Sequence, residues 1–194
     1  MARPREFDRE QALDAARDVF WAKGYEPTSV DDLVQAMGIG RQSLYGAFGD
    51  KRALYLETLR RYNTGNVADL IAVLRRAGSP VKALEGLLFA EAELSPSLRA
   101  LGCMGVNAIC EFGQNDADVA SARAANGALL ERALAELLAD GVACGELRAD
   151  LDVTAAARFI QCTLGGLKLS GKAGAPPAVL AEIARFTLDS LKAR

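Results

Sequence analysis

The hydrophobic residues of this chain recur three and four positions apart over most of its length. That spacing predicts amphipathic helices, and no segment shows the alternation typical of a strand. Glycine, proline and capping residues divide the pattern into about nine helices, so we expect an all-α fold. The expected helices are 8–23, 28–37, 41–48, 50–76, 78–93, one that begins near 95, 118–139, 152–170 and 177–192.

The strongest local pattern lies in residues 28–55. Thr28 or Ser29 can cap one short helix, because a side-chain oxygen accepts from the free backbone N–H groups of a first turn. Gly38 can end that helix in the left-handed conformation. A second short helix follows, and Asp50 can cap a third. Two short helices joined by a glycine turn are typical of a helix-turn-helix, whose second helix enters the DNA major groove.

The face of helix 41–48 opposite Leu44 and Phe48 is the candidate DNA-binding surface. Arginine pairs with guanine and glutamine with adenine in the major groove, and helix starts can hold phosphates. The candidate DNA-contacting residues are Thr28, Arg41, Gln42, Ser43, Tyr45, Gly46 and Lys51. The alternative is a packing unit with solvated basic residues, because short helix–glycine–helix patterns are common.

Several of these positions resemble the TetR-like family of one-component transcriptional regulators. The matching residues are Ala12, Ala16, Phe20, Gly24, Tyr25, Thr28, Ser29, Val30, Ile39, Leu44, Tyr45, Phe48, Lys51 and Leu54, and residues 43–51 are similar to a subclass of the family. The resemblance is specific over about the first 60 residues and weaker beyond them. Gly40 and Gly46 depart from residues common in the family, so the operator sequence is not inferred.

The family resemblance implies a homodimer with a DNA-binding domain at 1–60 and a ligand-binding and dimerisation domain at 61–194. It also implies a repressor that a small apolar or amphipathic effector releases from a palindromic operator on double-stranded DNA. The competing hypothesis is a helical small-molecule-binding, lipid-binding or scaffold protein without sequence-specific DNA binding. That protein would have no need of a basic surface at 41–51.

The net charge of −2 over 194 residues is unusual for a DNA-binding protein. Residues 1–62 contain ten basic and ten acidic side chains, so phosphate binding depends on where the charges lie rather than on their sum. We expect the basic residues Arg3, Arg5, Arg41, Lys51 and Arg52 to share one face. The longest apolar stretch, 100–110, is too short to span a bilayer, and the first residues contain no apolar leader. We therefore expect a cytoplasmic protein without a membrane partner.

The residue types that carry most catalytic and metal chemistry are scarce. The chain has no histidine, no paired cysteine motif, no nucleophile elbow and no phosphate-binding loop, so we expect no enzyme, no metal site and no cofactor. Its four cysteines are expected to be reduced and buried. Cys103 and Cys110 are the candidates for a thiol-sensing role.

The C-terminal half contains more apolar helix than one compact core requires, interrupted by polar residues. Such a pattern is typical of a small-molecule cavity. The candidate ligand-binding residues are Phe89, Cys103, Met104, Asn107, Glu111 and Gln161. The alternative is ordinary core packing, with the polar groups bonded to backbone.

The last two helices carry apolar series suited to a dimer interface. The candidate dimerisation residues are Phe159, Leu164, Leu167, Ile183, Phe186 and Thr187. The alternative is that these residues pack on their own domain. Dimerisation is favoured because two DNA half-sites require a two-fold symmetric protein.

Overall fold

The computed structural model describes residues 7–193 and confirms the all-α fold. Ten helices follow one another in that range. They are α1 (Arg9–Lys23), α2 (Val30–Met37), α3 (Arg41–Phe48), α4 (Lys51–Arg76), α5 (Pro80–Glu93), α6 (Pro96–Leu101), α7 (Met104–Phe112), α8 (Ala117–Ala143), α9 (Val153–Lys172) and α10 (Pro177–Leu191). An isolated antiparallel bridge joins Leu147 to Lys192. No helix in this range is both long enough and apolar enough to cross a membrane.

The tenth helix arises because the segment that begins near residue 95 is broken in two. Gly102 ends α6 with a φ of 64°, a conformation that favours glycine because it has no Cβ. Cys103 is then the N-cap of α7. Apolar spacing alone did not show this break, since residues 100–110 form an almost continuous apolar run.

Local capping sets the ends of the first helices as expected. Ser29 rather than Thr28 caps α2, and it forms a capping box with Asp32. Gly38 ends the same helix in the left-handed conformation, with a φ of 64°. The Asp50 carboxylate accepts a bond from the Ala53 N–H at 2.7 Å and thereby caps α4. These bonds satisfy backbone groups that a helix leaves free at its ends.

The first core, here called the N-terminal core, lies between α1–α3, the start of α4, and the facing sides of α7 and α8. It combines six buried leucines with a cluster of aromatic rings. The ring centroids of Phe20 and Tyr55 are 5.1 Å apart, and Tyr25 lies 5.0 Å from Tyr55. Phe112 of α7 lies 5.5 Å from both tyrosines. These large, directional contacts hold α1, the α1–α2 loop, α4 and α7 together.

The second core, here called the C-terminal core, lies between the rest of α4 and helices α5, α8, α9 and α10. Its buried members are aliphatic: Val67, Leu74, Ala83, Leu84, Leu87, Leu88, Leu130, Leu134, Leu138, Leu147, Ala156, Ala157, Ile160, Leu164, Leu167, Leu180, Ala184, Leu188 and Leu191. Helix α4 passes from one core to the other without interruption. The expected domain division at residue 60 therefore falls inside a helix.

Polar bonds join α1 and the α1–α2 loop to α7 and the turn that precedes it. The Trp21 Nε1–H donates to the Gly102 carbonyl at 3.0 Å. The Glu111 carboxylate accepts from the backbone N–H groups of Tyr25 and Glu26 at 3.0 and 2.8 Å. Helix α1 is thereby bonded to the α6–α7 turn, and α7 is bonded to the α1–α2 loop.

Candidate nucleic-acid interface and effector cavity

Helix α3 has a buried side and an exposed side. Leu44 is fully buried and Phe48 is 6% exposed, both in the N-terminal core. Four of the candidate DNA-contacting residues, Arg41, Gln42, Tyr45 and Gly46, are exposed, and Ser43 is partly buried. The buried Leu44 therefore anchors the first turn of α3 in the core, and the Arg41 and Gln42 side chains face outward.

An acidic neighbour lies beside this surface. Arg41 Nη2 is 2.6 Å from Asp31 Oδ1, and both side chains are largely exposed. An exposed ion pair of this kind contributes only about 0–1 kcal/mol. The guanidinium can therefore exchange this carboxylate for another acceptor at little cost.

Lys51 lies at the first position of α4, close to α3. Its Nζ is 4.3 Å from the centroid of the Tyr25 ring and 3.4 Å from the Glu26 carbonyl oxygen. The cation–π contact restricts the ammonium group. The same helix start offers free backbone N–H groups, the arrangement that binds phosphates elsewhere.

The structure does not place the other expected contacts on this surface. Thr28 is 1% exposed, and its hydroxyl donates to the Gly24 carbonyl, so it is unavailable to a phosphate. Arg52 instead bonds to the carboxylates of Asp116 and Asp118 at the start of α8. Arg3 and Arg5 lie outside the described residues.

A cavity of about 220 Å³ opens between α4, α7, α8 and α9. Two candidate ligand residues, Cys103 and Gln161, line it. The remaining lining residues are Asn63, Asn66, Val67, Leu70, Gly105, Val106, Ile109, Arg123, Asn126, Gly127, Leu130, Leu164, Gly165 and Lys168. The wall is thus mainly apolar with a few polar groups, as in many small-molecule sites.

The other four candidate ligand residues lie outside this cavity. Phe89 packs against the C-terminal core, and Met104 is buried in the N-terminal core. The Asn107 amide donates to the Leu101 carbonyl at 3.1 Å, and Glu111 binds the α1–α2 loop. The two polar side chains are thus occupied by backbone partners, the alternative that their type allowed.

Arg123 lines the cavity but was not among the expected ligand-binding residues. It is the one cation between residues 117 and 131, a stretch of α8 that contains six alanines. Small neighbours leave space beside a long side chain, so an isolated arginine among alanines was the feature of the sequence that could have indicated a cavity. Asn63 and Asn66 were also overlooked, because they follow one another on α4 in a pattern typical of a solvated face.

The cysteines are free, but only Cys103 is buried. Cys110, Cys144 and Cys162 are exposed, contrary to the expected burial. Burial raises the pKa of the neighbouring Tyr62 hydroxyl far above its usual range, and the Cys103 thiol raises it further.

The candidate dimerisation residues divide into two groups. Phe159, Ile183 and Phe186 are 46%, 39% and 77% exposed, which is unusual for side chains of this size. Leu164 and Leu167 are instead buried within the chain. Thr187 is buried too, and its hydroxyl donates to the Ile183 carbonyl at 2.9 Å. These last three residues are unavailable to a second subunit because they already pack inside their own.

Comparison with known proteins agrees with this architecture. Residues 12–58 match the family described as bacterial regulatory proteins, tetR family, and residues 89–186 match the tetracyclin repressor-like C-terminal domain. The HTH-type transcriptional repressor ComR of Escherichia coli (strain K12) is 35% identical over 188 residues, which cover 96% of this chain and 90% of ComR. The uncharacterized regulator YezE of Bacillus subtilis (strain 168) is 35% identical, over 82% of this chain and 84% of its own.

A solved structure shows the same fold with a nucleic acid bound. It is a cysteine mutant of the TetR family transcriptional regulator CifR complexed with 26-bp double-strand operator DNA. It superimposes with a TM-score of 0.81 at 32% identity, over 98% of this chain and all of that one. These relatives are transcriptional regulators rather than enzymes. The two matched regions, together with the extent of the likeness to ComR, show that the chain belongs to the TetR family of bacterial regulatory proteins.

Proposed function

We propose that this protein is a homodimeric transcriptional repressor. The α3 helix of each subunit enters the major groove at one half of a palindromic operator. Residues 1–60 form the DNA-binding domain, and residues 61–194 bind the effector and the second subunit. The protein acts in the cytoplasm, where bacterial DNA is found.

The observation that carries this proposal is the exposed first turn of α3. Arg41 and Gln42 have the donor geometry that pairs with guanine and adenine, and the buried Leu44 fixes the direction in which they face. The operator-bound CifR and the repressor ComR are relatives with the corresponding activities in their names.

Separate features support dimerisation and the release of DNA by an effector. Phe159 and Phe186 leave apolar surface on the last two helices that a second subunit would cover. The cavity beside α7 offers a site for a small apolar or amphipathic effector. An effector weakens DNA binding only if it prefers the subunit arrangement that fits the operator less well.

The test compares binding to the duplex upstream of the protein's own gene with binding to a scrambled duplex, at several salt concentrations. Arg41→Ala should cost about 1–3 kcal/mol and relax the preference at one base pair, whereas Lys51→Ala should weaken both duplexes and reduce the salt dependence. Arg76→Ala is the matched control, since Arg76 is exposed about 37 Å from Lys51 along α4. Equal affinity for the two duplexes would favour the binding or scaffold protein instead.

One substitution should act in the opposite direction. Asp31→Asn removes the carboxylate that pairs with Arg41 and also removes a negative charge beside the phosphates. We expect affinity for both duplexes to rise by about threefold to tenfold at low salt, because that charge opposes counterion release. Unchanged affinity would show that α3 does not approach DNA on this side.

A further inference from the structure

Arg123 is partly buried and has no partner among the residues that the structure describes. The other buried or partly buried arginines among residues 7–193 all have one. Arg17 pairs with Asp14, Arg52 pairs with Asp116, and the buried Arg99 donates to the Leu94 carbonyl. Arg123 makes no hydrogen bond and no ion pair with any described residue, and its side chain lines the 220 Å³ cavity.

Burial without an anion is unfavourable for this group. Loss of solvent lowers the pKa of the Arg123 guanidinium, and the nearby Cys103 thiol offsets the change in part. Arginine stays protonated in proteins even so. The cavity wall therefore carries a permanent positive charge, and no carboxylate of the described chain replaces its lost hydration.

A second cation, Lys168, faces the same cavity from α9. Its Nζ lies 3.5 Å from the Asn66 Oδ1, a weak contact. None of the described lining residues is acidic. The amides of Asn63 and Gln161 in the wall already donate to the Ala122 and Gly127 carbonyls. Two cations beside an apolar floor match an anion with an apolar body.

The two cations are not equivalent. Lys168 also interacts electrostatically with Glu91, a buried residue outside the cavity lining whose Oε1 has no hydrogen-bond partner in the described structure. Lys168 is thus shared between Glu91 and the cavity. No carboxylate among residues 7–193 interacts with Arg123 in this way, so a bound anion has its main partner there.

We propose that this cavity binds a small organic acid, whose carboxylate is held by Arg123 and Lys168 and whose apolar part lies against Val67, Leu130 and Leu164. A cavity of roughly 150 Å³ admits benzene, so 220 Å³ suits one ring or a short chain together with a carboxylate. That this acid acts as the effector rests on the proposed function, whereas its binding does not.

The position of α7 connects this site to the DNA-binding helices. Cys103, Val106 and Ile109 line the cavity from α7 and its N-cap. The other side of the helix carries Glu111, which is bonded to the α1–α2 loop. An acid in the cavity therefore contacts an element that is joined directly to the DNA-binding half.

The test uses acids with their neutral and cationic counterparts on identical skeletons. Hexanoate, benzoate and 3-phenylpropanoate are each compared with the corresponding amide and amine by calorimetric titration of the full-length protein without DNA. The best-binding acid should bind about tenfold to hundredfold more tightly than its amide, because one bond to a charged group exceeds a neutral bond by about tenfold and two cations face the cavity. The amines should not bind.

Substitutions of single cations then show which positive charge binds the acid. Arg123→Gln should abolish the preference for acid over amide while leaving amide affinity unchanged, and Lys168→Gln should reduce that preference in part. Arg132→Gln is the matched control, because Arg132 is exposed on the same helix, nine residues away and on the opposite face. Equal loss in Arg123→Gln and Arg132→Gln would overturn the proposal, and so would an acid and amide of equal affinity or no binding by any acid.

Duplex binding measured in parallel separates this proposal from the proposed function. Specific duplex binding without any acid preference would reject the anion site and leave the repressor intact. Acid preference that depends on Arg123, without specific duplex binding, would support the anion site and reject the repressor.

Discussion

The N-terminal core contains a cluster of aromatic rings in contact among its aliphatic side chains, whereas the C-terminal core is almost wholly aliphatic and lies beside a cavity. Tyr25, Tyr55 and Phe112 lie within 5.5 Å of one another in the first. The second contains many leucines, with Phe89 as its one aromatic neighbour among the described residues. Rings hold their partners in a few defined geometries, whereas aliphatic groups tolerate more rearrangement.

This difference corresponds to the two tasks that we propose. A helix that recognises bases must keep its side chains within a narrow range of positions. The ring cluster beside α4 and the contact of Phe48 on α3 with Phe7 serve that purpose. A site that admits a small molecule requires open volume and side chains that can adjust. The cavity wall supplies both, at some expense in packing.

The largest expected difference between the two cores comes from removing the same atoms in each. Leu44→Ala creates a new void in the N-terminal core and should lower the free energy of unfolding by about 3–5 kcal/mol. Leu164→Ala enlarges an existing cavity, so we expect a loss nearer to about 2 kcal/mol. Urea denaturation measures both. Equal losses would contradict the view that the C-terminal core is the looser one.

Two glycines in the cavity wall should respond in opposite ways to a methyl group. At Gly105 an added Cβ would lie 2.6 Å from Asn63 Oδ1, and Asn63 is buried and donates to the Ala122 carbonyl. Gly105→Ala should therefore cost about 1 kcal/mol through that displaced bond. At Gly165 an added Cβ meets nothing within 4 Å, so Gly165→Ala should stabilise α9 by about 0.5–1 kcal/mol. The melting temperatures of the two variants test this prediction. If both variants melted above the wild type, or both below it, the cavity wall would differ from this description.

The connection between the two halves should weaken when Glu111 loses its charge. Glu111→Gln retains the shape of the side chain but weakens the bonds to the Tyr25 and Glu26 N–H groups. We expect hydrogen exchange at these two amides to accelerate by about tenfold, because a hydrogen bond to a carboxylate is stronger than one to a neutral amide. Glu136→Gln, an exposed site on α8, is the control. Unaltered exchange would mean that other contacts hold the α1–α2 loop.

The smallest expected effect concerns the ion pair between Arg52 and Asp116. The Arg52 guanidinium, helped by the Val119 N–H, lowers the pKa of Asp116 from 3.8 to about 2. A carboxylate with a depressed pKa stabilises the folded state above its unfolded pKa, and this contribution disappears as the pH falls through its folded pKa. The stability advantage over Asp116→Asn should therefore be complete above about pH 5, decrease as the pH falls below 3.8 and disappear only below about pH 2. Asp69→Asn, which removes an exposed carboxylate without a described ion pair, is the control.

The helix boundaries near α3 followed from the sequence because they depend on neighbouring residues. A left-handed Gly38 and an Asp50 cap act over four positions, so their effect is visible in the chain itself. The choice between Thr28 and Ser29 was harder, because either hydroxyl can cap. The structure decides it through burial, since Thr28 turns inward to the Gly24 carbonyl.

The cavity was harder to predict because its members come from four helices. Asn107 and Glu111 look like ligand-binding residues in sequence, yet each finds a backbone partner, one of them more than 80 positions away. Leu164, Leu167 and Thr187 share apolar helices with Phe159 and Phe186. Periodicity does not tell which apolar face packs inward and which remains open. Arg52 illustrates the same limit, since its acidic partners are 64 and 66 residues distant.

The break at Gly102 has an optical consequence. Because the chain stops being helical there, one carbonyl is free to accept the indole N–H of Trp21. The protein contains a single tryptophan, and its ring also lies edge-on to Tyr62 at 5.0 Å. Tryptophan fluorescence therefore originates where α1 contacts the α6–α7 turn. A change in emission wavelength as an acid is titrated would register any shift of α7 without an added label.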